Sequence, residues 1–446
     1  MKSILLLCSL IYAAHSWANL HLAPPDFTIP EGRAVFVDMT HAHHHIVFDA
    51  GKRRTIATST IQFTVTKPGM PIFDLVPTPS LVEINGQPVE QKLISLPGDV
   101  SKVRVALQPL AIGTHTFKIV NQIKENVGYT LFRNVKAAFW IRDLKDRLFW
   151  EQYLPVNLEF DQHARVMDIE LKGRKIHTQV VHANGKVTKT GKNAWRIEYP
   201  AWYTTSSPYF HTMRKGSRRT QYFNVTSIDG REIPFTVYTF IPWSVSKYAA
   251  EARRVFAELE ADYGPWIHDS FIAYGAGFGG MEHAGATMTS FGALDHEMLH
   301  CYFAKGVMPA DGNSGWIDEA IASWRDRGYY RSPTPGVPAN LAGRSIYARN
   351  TNSQAYAHGS AFLAYLDYLM QDKGGLKAFL RGYFQTYQKS LITTDHFMNN
   401  LEFFSGLELK QLFLDNVYTQ TPEKGDRDVE NHFHPFVSQE KLLEAL

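Results

Sequence analysis

The sequence predicts an α+β protein of two domains, an antiparallel, sandwich-like β-sheet domain followed by a mainly helical domain. Two observations carry this prediction. The hydrophobic period changes from that of strands to that of helices near residue 245, and 446 residues are too many for one ordinary core. We therefore predict domains at residues 19–245 and 246–446. A net charge of +3 is mild and gives no indication of nucleic-acid binding.

The first eighteen residues, MKSILLLCSLIYAAHSWA, have the parts of a secretory signal peptide. One lysine precedes an apolar run that is too short to span a bilayer, and small residues follow at Ser16 and Ala18. Cys8 lacks the setting of a lipid anchor, and cleavage would leave Cys301 as the sole cysteine. We expect a secreted or periplasmic protein without a disulfide or a membrane anchor, and its oligomeric state is left open.

The β-sheet domain is predicted from about residue 33 to residue 240 by apolar residues that alternate with polar ones. In TIQFTVT, residues 60–66, Ile61, Phe63 and Val65 take every second position. Asn-Gly pairs at 85–86 and 184–185 separate such runs and favour the tight turns of β-hairpins.

In the second domain, apolar residues recur at helical spacing from Tyr248 to Tyr263, with Ser244 or Ser246 available as the cap. Residues 270–290 then predict two short strands around a glycine corner. Further helices are predicted at residues 295–305, 316–327, 361–372 and 376–387.

The segment HEMLH carries the first functional signal. His296 and His300 are four residues apart, so both imidazoles project from one helix face toward the same point. Glu297 is the next residue along the helix after His296 and lies beside that point. This arrangement is typical of zinc enzymes, in which the glutamate acts as general base, although a helix could also carry two histidines without binding metal.

A catalytic zinc needs a third protein ligand. Glu319 lies in an amphipathic segment that a turn at nearby glycines could fold back over the two histidines. Asp326 could accept a ring N–H from a ligand histidine and fix its orientation. Asp318 is expected to point elsewhere, into solvent.

The stretch HEMLHCYFAKGVMPADGNSGWIDEAIASW resembles the gluzincin aminopeptidases of the alanyl-aminopeptidase type, in which eighteen residues separate H-E-x-x-H from a glutamate. Residues 301–318 make that spacing here. The resemblance is strong from about residue 248, is weaker over the β half, and ends near residue 420. It implies a thermolysin-like catalytic domain, one Zn²⁺ per chain, and His296, His300 and Glu319 as its ligands.

Two further motifs extend the resemblance. GGMEH resembles the family's G-x-M-E-N and, more closely, the G-G-L-E-H of glycyl-aminopeptidase relatives, which implies substrate binding by Glu282. Gly279 and Gly280 would bind substrate by allowing close approach of its backbone, or would make a tight corner. YAHGS resembles the Y-x-K-G of the family's catalytic tyrosine, which implies that role for Tyr356. His283 and His358 depart from the alanyl-type patterns, and their roles are left open.

Together these residues predict an exported zinc metallopeptidase, and removal of N-terminal residues from peptides is its leading predicted activity. Glu297 would take the proton of a zinc-activated water, Tyr356 would donate to the tetrahedral oxyanion, and Glu282 would bind the free α-ammonium of an aminopeptidase substrate. Three alternatives stay open. They are an open-site endopeptidase that lacks the relatives' closing helical domain, a metal-free binding protein of the same fold, and Glu282 as an exposed sheet-edge charge.

Other candidates are weaker. Strand alternation would divide the histidines of HAHHH, residues 41–45, between two faces, which argues against a metal site. The basic residues around Gly216 are expected to form a solvated hairpin tip, and Cys301 is expected to serve packing.

Overall fold

The structure is a computed structural model, and it describes residues 19–129, 135–141, 148–173, 177–241, 244–277 and 279–419. The predicted signal peptide lies outside these ranges. Within them, no helix combines the length and apolarity that crossing a membrane requires. The two-domain α+β class is confirmed, with sheets in the first part of the chain and most helices in the second.

The described residues separate into two compact units that divide at Arg219 and Thr220. This division lies earlier than residue 245, where the hydrophobic period changes. The reason is the strand Glu232–Thr239, which precedes the first long helix but pairs in parallel with Phe271–Gly275 of the second unit. Its backbone hydrogen bonds therefore place this strand in the second unit, although its alternation of apolar and polar residues is typical of the first unit.

The strands of the first unit are β1 Phe27–Ile29, β2 Gly32–Val35, β3 Asp38–Asp49, β4 Arg54–Val65, β5 Met70–Phe73, β6 Leu81–Ile84, β7 Gln87–Pro88, β8 Gln91–Ser95, β9 Lys102–Ala106, β10 Gly113–Ile123, β11 Val127–Tyr129, β12 Val135–Ala138, β13 Ala164–Lys172, β14 Gln179–Ala183, β15 Lys186–Gly191, β16 Ala194–Tyr199 and β17 Phe210–Arg214. They form three sheets, in the orders β1-β2-β5-β9-β8, β15-β16-β13-β3-β4-β10-β6-β7 and β11-β12-β17-β14. Pairing is antiparallel except for β13 on β3 and β2 on β5.

The two Asn-Gly pairs behave differently. Asn85 and Gly86 both have positive φ and close the β6–β7 hairpin as predicted. The hairpin predicted at Asn184 and Gly185 is wrong, because β14 and β15 belong to different sheets. The Asn184 side chain is instead committed to a tertiary contact, in which its Oδ1 accepts the backbone N–H of Tyr209 at 2.6 Å.

The histidines of HAHHH lie on β3 and are divided between its faces, as alternation predicts. His44 is fully buried, and its Nδ1 lies 2.8 Å from Ser59 Oγ. His43 is partly exposed, and its Nε2 lies 2.7 Å from Asp168 Oδ2. Burial, joined by the charge of Arg165, lowers the pKa of His44 well below its ordinary value.

The second unit has a five-stranded sheet in the order β18-β19-β20-β22-β21, and helices that enclose one hydrophobic core around residues such as Trp266, Trp316 and Trp324. Its strands are β18 Arg219–Thr226, β19 Glu232–Thr239, β20 Phe271–Gly275, β21 Gly280–His283, β22 Ala286–Thr289, β23 Met308–Pro309 and β24 Leu391–Ile392. Its α-helices are Val245–Tyr263, Leu294–Leu299, Trp316–Asp326, His358–Leu369, Gly375–Tyr387, Thr394–Ser405 and Lys410–Phe413.

Two predictions about this unit need correction. The region of the glycine corner forms three strands, β20, β21 and β22, where two were predicted. The helix predicted at 295–305 ends at Leu299, with His300 as its C-cap. Ala304 has φ +112°, which no α-helix accommodates, so the helix cannot run on to residue 305. A tight turn therefore follows the HEMLH segment.

Candidate metal centre and active site

The site is built on two helices of the second unit, Leu294–Leu299 (the HEMLH helix) and Trp316–Asp326 (the WIDEA helix). The ε nitrogens of His296 and His300 lie 3.2 Å and 3.5 Å from the same atom, Glu319 Oε2. His300 and Glu319 are buried, and His296 is partly exposed. Two imidazole nitrogens and one carboxylate oxygen thus converge on one point, which is the donor set and separation that zinc takes in catalytic sites.

Packing of the WIDEA helix explains how Glu319 reaches the histidines. Ile317, Ile321 and Trp324 are buried in the core and define the inner side of the helix. The reversal before the helix depends on Gly312, where a Cβ would lie 2.4 Å from the backbone carbon of Arg349. Only glycine fits this close backbone approach.

Both ligand histidines are oriented through their second ring nitrogen. His296 Nδ1 lies 2.7 Å from Asp326 Oδ2, and His300 Nδ1 lies 3.2 Å from the carbonyl oxygen of Phe303. These acceptors assign the N–H to Nδ1 in each ring and leave Nε2 for a metal. Asp326 therefore sits where the sequence predicted it.

Asp318 is not solvated, contrary to the prediction. It is 5% exposed, and its Oδ2 lies 3.6 Å from His300 Nδ1. The WIDEA helix is buried along its whole first two turns, so consecutive residues Asp318 and Glu319 both face the interior. The helical pattern alone had placed one of them outside.

Tyr356 precedes the helix His358–Leu369, and its hydroxyl donates to Glu319 Oε1 at 2.9 Å. The phenol therefore stands beside the ligand cluster, and its ring centroid lies 6.0 Å from that of His296. Burial by itself raises the pKa of Glu319, but the charges and hydrogen bonds of His300 and His296 outweigh it and hold that pKa well below the usual range.

Glu297 lies next to the ligands and is 6% exposed. Its Oε2 has no hydrogen-bond partner among the described residues. Burial, reinforced by the negative charge of Glu282, raises the pKa of Glu297 to about 8, because a buried carboxyl group favours its neutral form. A buried carboxylate with a raised pKa and an unsatisfied oxygen is suited to accept a proton during a reaction.

Gly280 makes room for Glu297. A Cβ at this position would lie 2.0 Å from Glu297 Oε1 and 2.7 Å from its Cδ. Gly279 and Gly280 were predicted to bind substrate. In the structure, the Glu297 side chain occupies the space where a Cβ of residue 280 would lie. Gly279 has φ +60° and open space where a Cβ would stand, so it serves the backbone turn before β21.

Glu282 is on β21 and is 4% exposed, so its alternative interpretation as an exposed edge charge is wrong. One carboxylate oxygen lies within 4.8 Å of ligand atoms of Glu297 and His300. Its Oε1 also lies 3.3 Å from Nζ of Lys305, and both side chains are almost fully buried. The carboxylate therefore has an ionic partner inside the protein, and its Oε1 makes no hydrogen bond with the described residues.

Sequence reasoning missed Lys305. One signal could have pointed to it, since a lysine inside the apolar run CYFAKGVM, five residues after His300, is costly to bury without a partner. Nothing local identifies that partner, because Glu282 is more than twenty residues away in the chain.

The remaining candidates lie around the site. His283 is fully buried on β21, and His358 Nδ1 donates to the Val337 carbonyl at 2.8 Å. Cys301 is a buried free thiol whose pKa is raised by burial, which suits packing and not nucleophilic attack.

No protein-family model matches the sequence, and no curated protein does. Solved structures do match. An M1 zinc metallopeptidase from Deinococcus radiodurans aligns with a TM-score of 0.57 at 16% identity, covering 86% of this chain and 95% of that one. Leukotriene A4 hydrolase from Saccharomyces cerevisiae aligns with a TM-score of 0.58 at 14% identity, covering 85% and 66%. Aminopeptidase A from Legionella pneumophila aligns with a TM-score of 0.61 at 12% identity, covering 85% and 49%.

These similarities define the class of fold. The chain has the two-domain fold of the M1 zinc metallopeptidases. The fold predicted from the resemblance is thereby confirmed.

Proposed function

We propose that the protein is an exported zinc metallopeptidase that hydrolyses peptide bonds. The observation that carries the proposal is the convergence of His296 Nε2, His300 Nε2 and Glu319 Oε2, with the buried Glu297 carboxylate beside them. When bound there, zinc would supply a Lewis acid that polarises a carbonyl group and activates water. Solved neighbours of the same fold support peptide substrates, because one is a Deinococcus radiodurans metallopeptidase bound to a Tyr-Ser-Ala substrate.

The residues around the ligands have separate tasks in this proposal. Glu297 accepts the proton of the attacking water through its unsatisfied Oε2 and delivers it to the leaving amine. Tyr356 holds Glu319 through its hydroxyl and can turn that donor toward the oxyanion of the tetrahedral intermediate. Asp326 keeps His296 in the tautomer that binds metal.

Removal of N-terminal residues is the first candidate for the substrate mode. It is supported by the position of Glu282, which lies within reach of Glu297 and His300, and by the aminopeptidase among the structural neighbours. A second candidate is cleavage that needs no free amino terminus. The specific observation in its favour is the buried salt bridge between Glu282 and Lys305.

Export is supported by the amino-terminal pattern alone. The charged, apolar and small-residue parts of residues 1–18 follow the order of a cleavable signal peptide. Amino-terminal sequencing of the protein from the culture medium or a periplasmic extract would test this part of the proposal. A mature chain that starts near residue 19 supports export, and an intact Met1 in the cell interior contradicts it.

The test of the chemistry is Glu297→Gln, which keeps the shape of the side chain and removes its basicity. We expect one zinc per chain in both proteins and a fall in kcat of at least about 10²-fold in the variant, the usual contribution of a general base. The matched control is Glu83→Gln, a surface residue in a salt bridge with Lys118. Unchanged hydrolysis by Glu297→Gln, or no metal in the wild-type protein, would refute the proposal.

A further inference from the structure

Glu282 and Lys305 form a buried ion pair, and Glu282 is the carboxylate proposed above to bind the amino end of the substrate. Nζ of Lys305 lies 3.3 Å from Glu282 Oε1, with side-chain exposures of 4% and 5%. An ammonium group of the protein itself therefore stands on the carboxylate that would otherwise receive the α-ammonium of a peptide. Two cations on one buried carboxylate repel each other at short range.

The backbone holds Lys305 in this place. Its N–H donates to the carbonyl of His300 at 2.9 Å, and Ala304 just before it has φ +112°. At Gly306 a Cβ would lie 2.5 Å from the carbonyl oxygen of Tyr302. The turn after the HEMLH helix is thus closely packed, and swinging Lys305 away would leave a charge buried without a partner.

The strand that carries Glu282 points to the same conclusion. In the described part of the chain, β21 is the edge strand of its sheet and pairs with β22 alone. An extended peptide can add to such an edge through its backbone, whatever its length. A peptide that runs past Glu282 presents a neutral amide there. It needs no charge from a carboxylate whose charge Lys305 already balances, although Glu282 Oε1 forms no hydrogen bond with the described residues.

We infer that Lys305 is a specificity-determining residue, which takes the place of a substrate α-ammonium on Glu282, so that the site accepts peptides whose amino end is blocked or lies further upstream. This inference rests on the proposed function and names its substrate class. Recognition of the substrate then comes from backbone pairing and not from its terminal charge.

The test compares a panel of peptides, each prepared with a free and an N-acetylated amino terminus. We expect the wild-type enzyme to hydrolyse both forms with kcat/KM values within about tenfold of each other. Lys305→Met removes the charge and keeps the length of the side chain, and we expect it to shift the ratio toward the free form by about tenfold or more. Lys305→Arg keeps the charge and should keep the wild-type ratio.

Lys118→Met is the matched control, since Lys118 also forms a salt bridge with a glutamate, Glu83, but on the surface. It should retain the wild-type ratio. A wild-type enzyme that hydrolyses only free-amine peptides would overturn the inference, and so would a Lys305→Met variant whose ratio is unchanged. If Lys305→Met does not fold by circular dichroism, Lys305→Gln takes its place with the same expected shift.

Binding gives a readout that does not depend on turnover. In the zinc-loaded Glu297→Gln background, calorimetry measures the affinity of the same free and acetylated peptides with Lys305 and with Met at that position. We expect the free peptide to gain affinity by about tenfold in the double variant. Absence of hydrolysis in the wild type would reject the proposed function, whereas equal affinities with and without Lys305 would reject this inference alone.

Discussion

Replacing Gly280 with alanine should disable catalysis while the protein stays folded. The Cβ of an alanine would lie 2.0 Å from Glu297 Oε1, whereas real Cβ contacts stay beyond 3.0 Å, so the carboxylate must move by at least about 1 Å. A misplacement of that size costs about 10²-fold in rate. Gly280 does not have a positive φ, so alanine can adopt its backbone conformation. The free energy of unfolding should therefore change by less than about 1 kcal/mol.

The assay measures kcat on the peptide panel, zinc content, and the urea dependence of unfolding for the wild type and Gly280→Ala. Gly292→Ala is the matched control, because Gly292 lies four residues before His296 with open space around it and should behave as the wild type. Wild-type turnover in Gly280→Ala would refute the reasoning. Loss of zinc would refute it too, since the ligands and not the base would then be the residues displaced.

The remaining predictions concern the ligand shell and acid stability. Asp326→Asn should weaken zinc binding by about 10–100-fold, measured by chelator competition, because it replaces the charged acceptor that orients His296 with a neutral and weaker one; equal affinity would contradict this role. Tyr356→Phe should lower kcat by about 10²-fold with zinc content unchanged, and an unaltered kcat would exclude the hydroxyl from the reaction. Burial, joined by the charge of Arg165, lowers the pKa of His163 to about 4, below the 6.5 of an unfolded chain. The neutral His163 side chain therefore stabilises the folded protein fully above pH 6.5. This contribution to the free energy of unfolding, about 3 kcal/mol, is lost as the pH falls toward 4, which urea unfolding measures. His163→Gln should reduce this pH dependence, and a loss of stability between pH 7.5 and pH 4 that is the same in His163→Gln as in the wild type would contradict the burial of His163 in its neutral form.

Local periodicity accounts for the parts of the site that the sequence predicted. His296 and His300 face one point because four residues make about one helical turn, and that holds wherever the helix packs. The position of Glu319 followed from the spacing in a resemblance and from an amphipathic helix that had to return over the first. Asp326 followed from the same helix, two turns further on.

Predictions from periodicity were wrong where a residue is surrounded by segments that are distant in the sequence. Asn184 and Gly185 have the composition of a hairpin turn, yet Asn184 bonds to the backbone of Tyr209 and the two flanking strands enter different sheets. Asp318 has the pattern of an outward residue, yet the helix that carries it is covered on that side too. In both cases tertiary packing outweighed a local preference of about 1 kcal/mol or less.

The class of fold, the change from strands to helices and the convergence of two histidines with a glutamate could be predicted from the sequence. They depend on repeat distances along the chain, which backbone geometry sets. That Glu297 occupies the space above Gly280 and that Lys305 pairs with Glu282 is seen in the folded structure alone. Both are contacts between segments that are close in space and distant in sequence. The first depends on close packing and the second on pairing two buried charges. For this protein, the convergence of His296, His300 and Glu319 could be predicted from the sequence, and the buried partner of Glu282 could not.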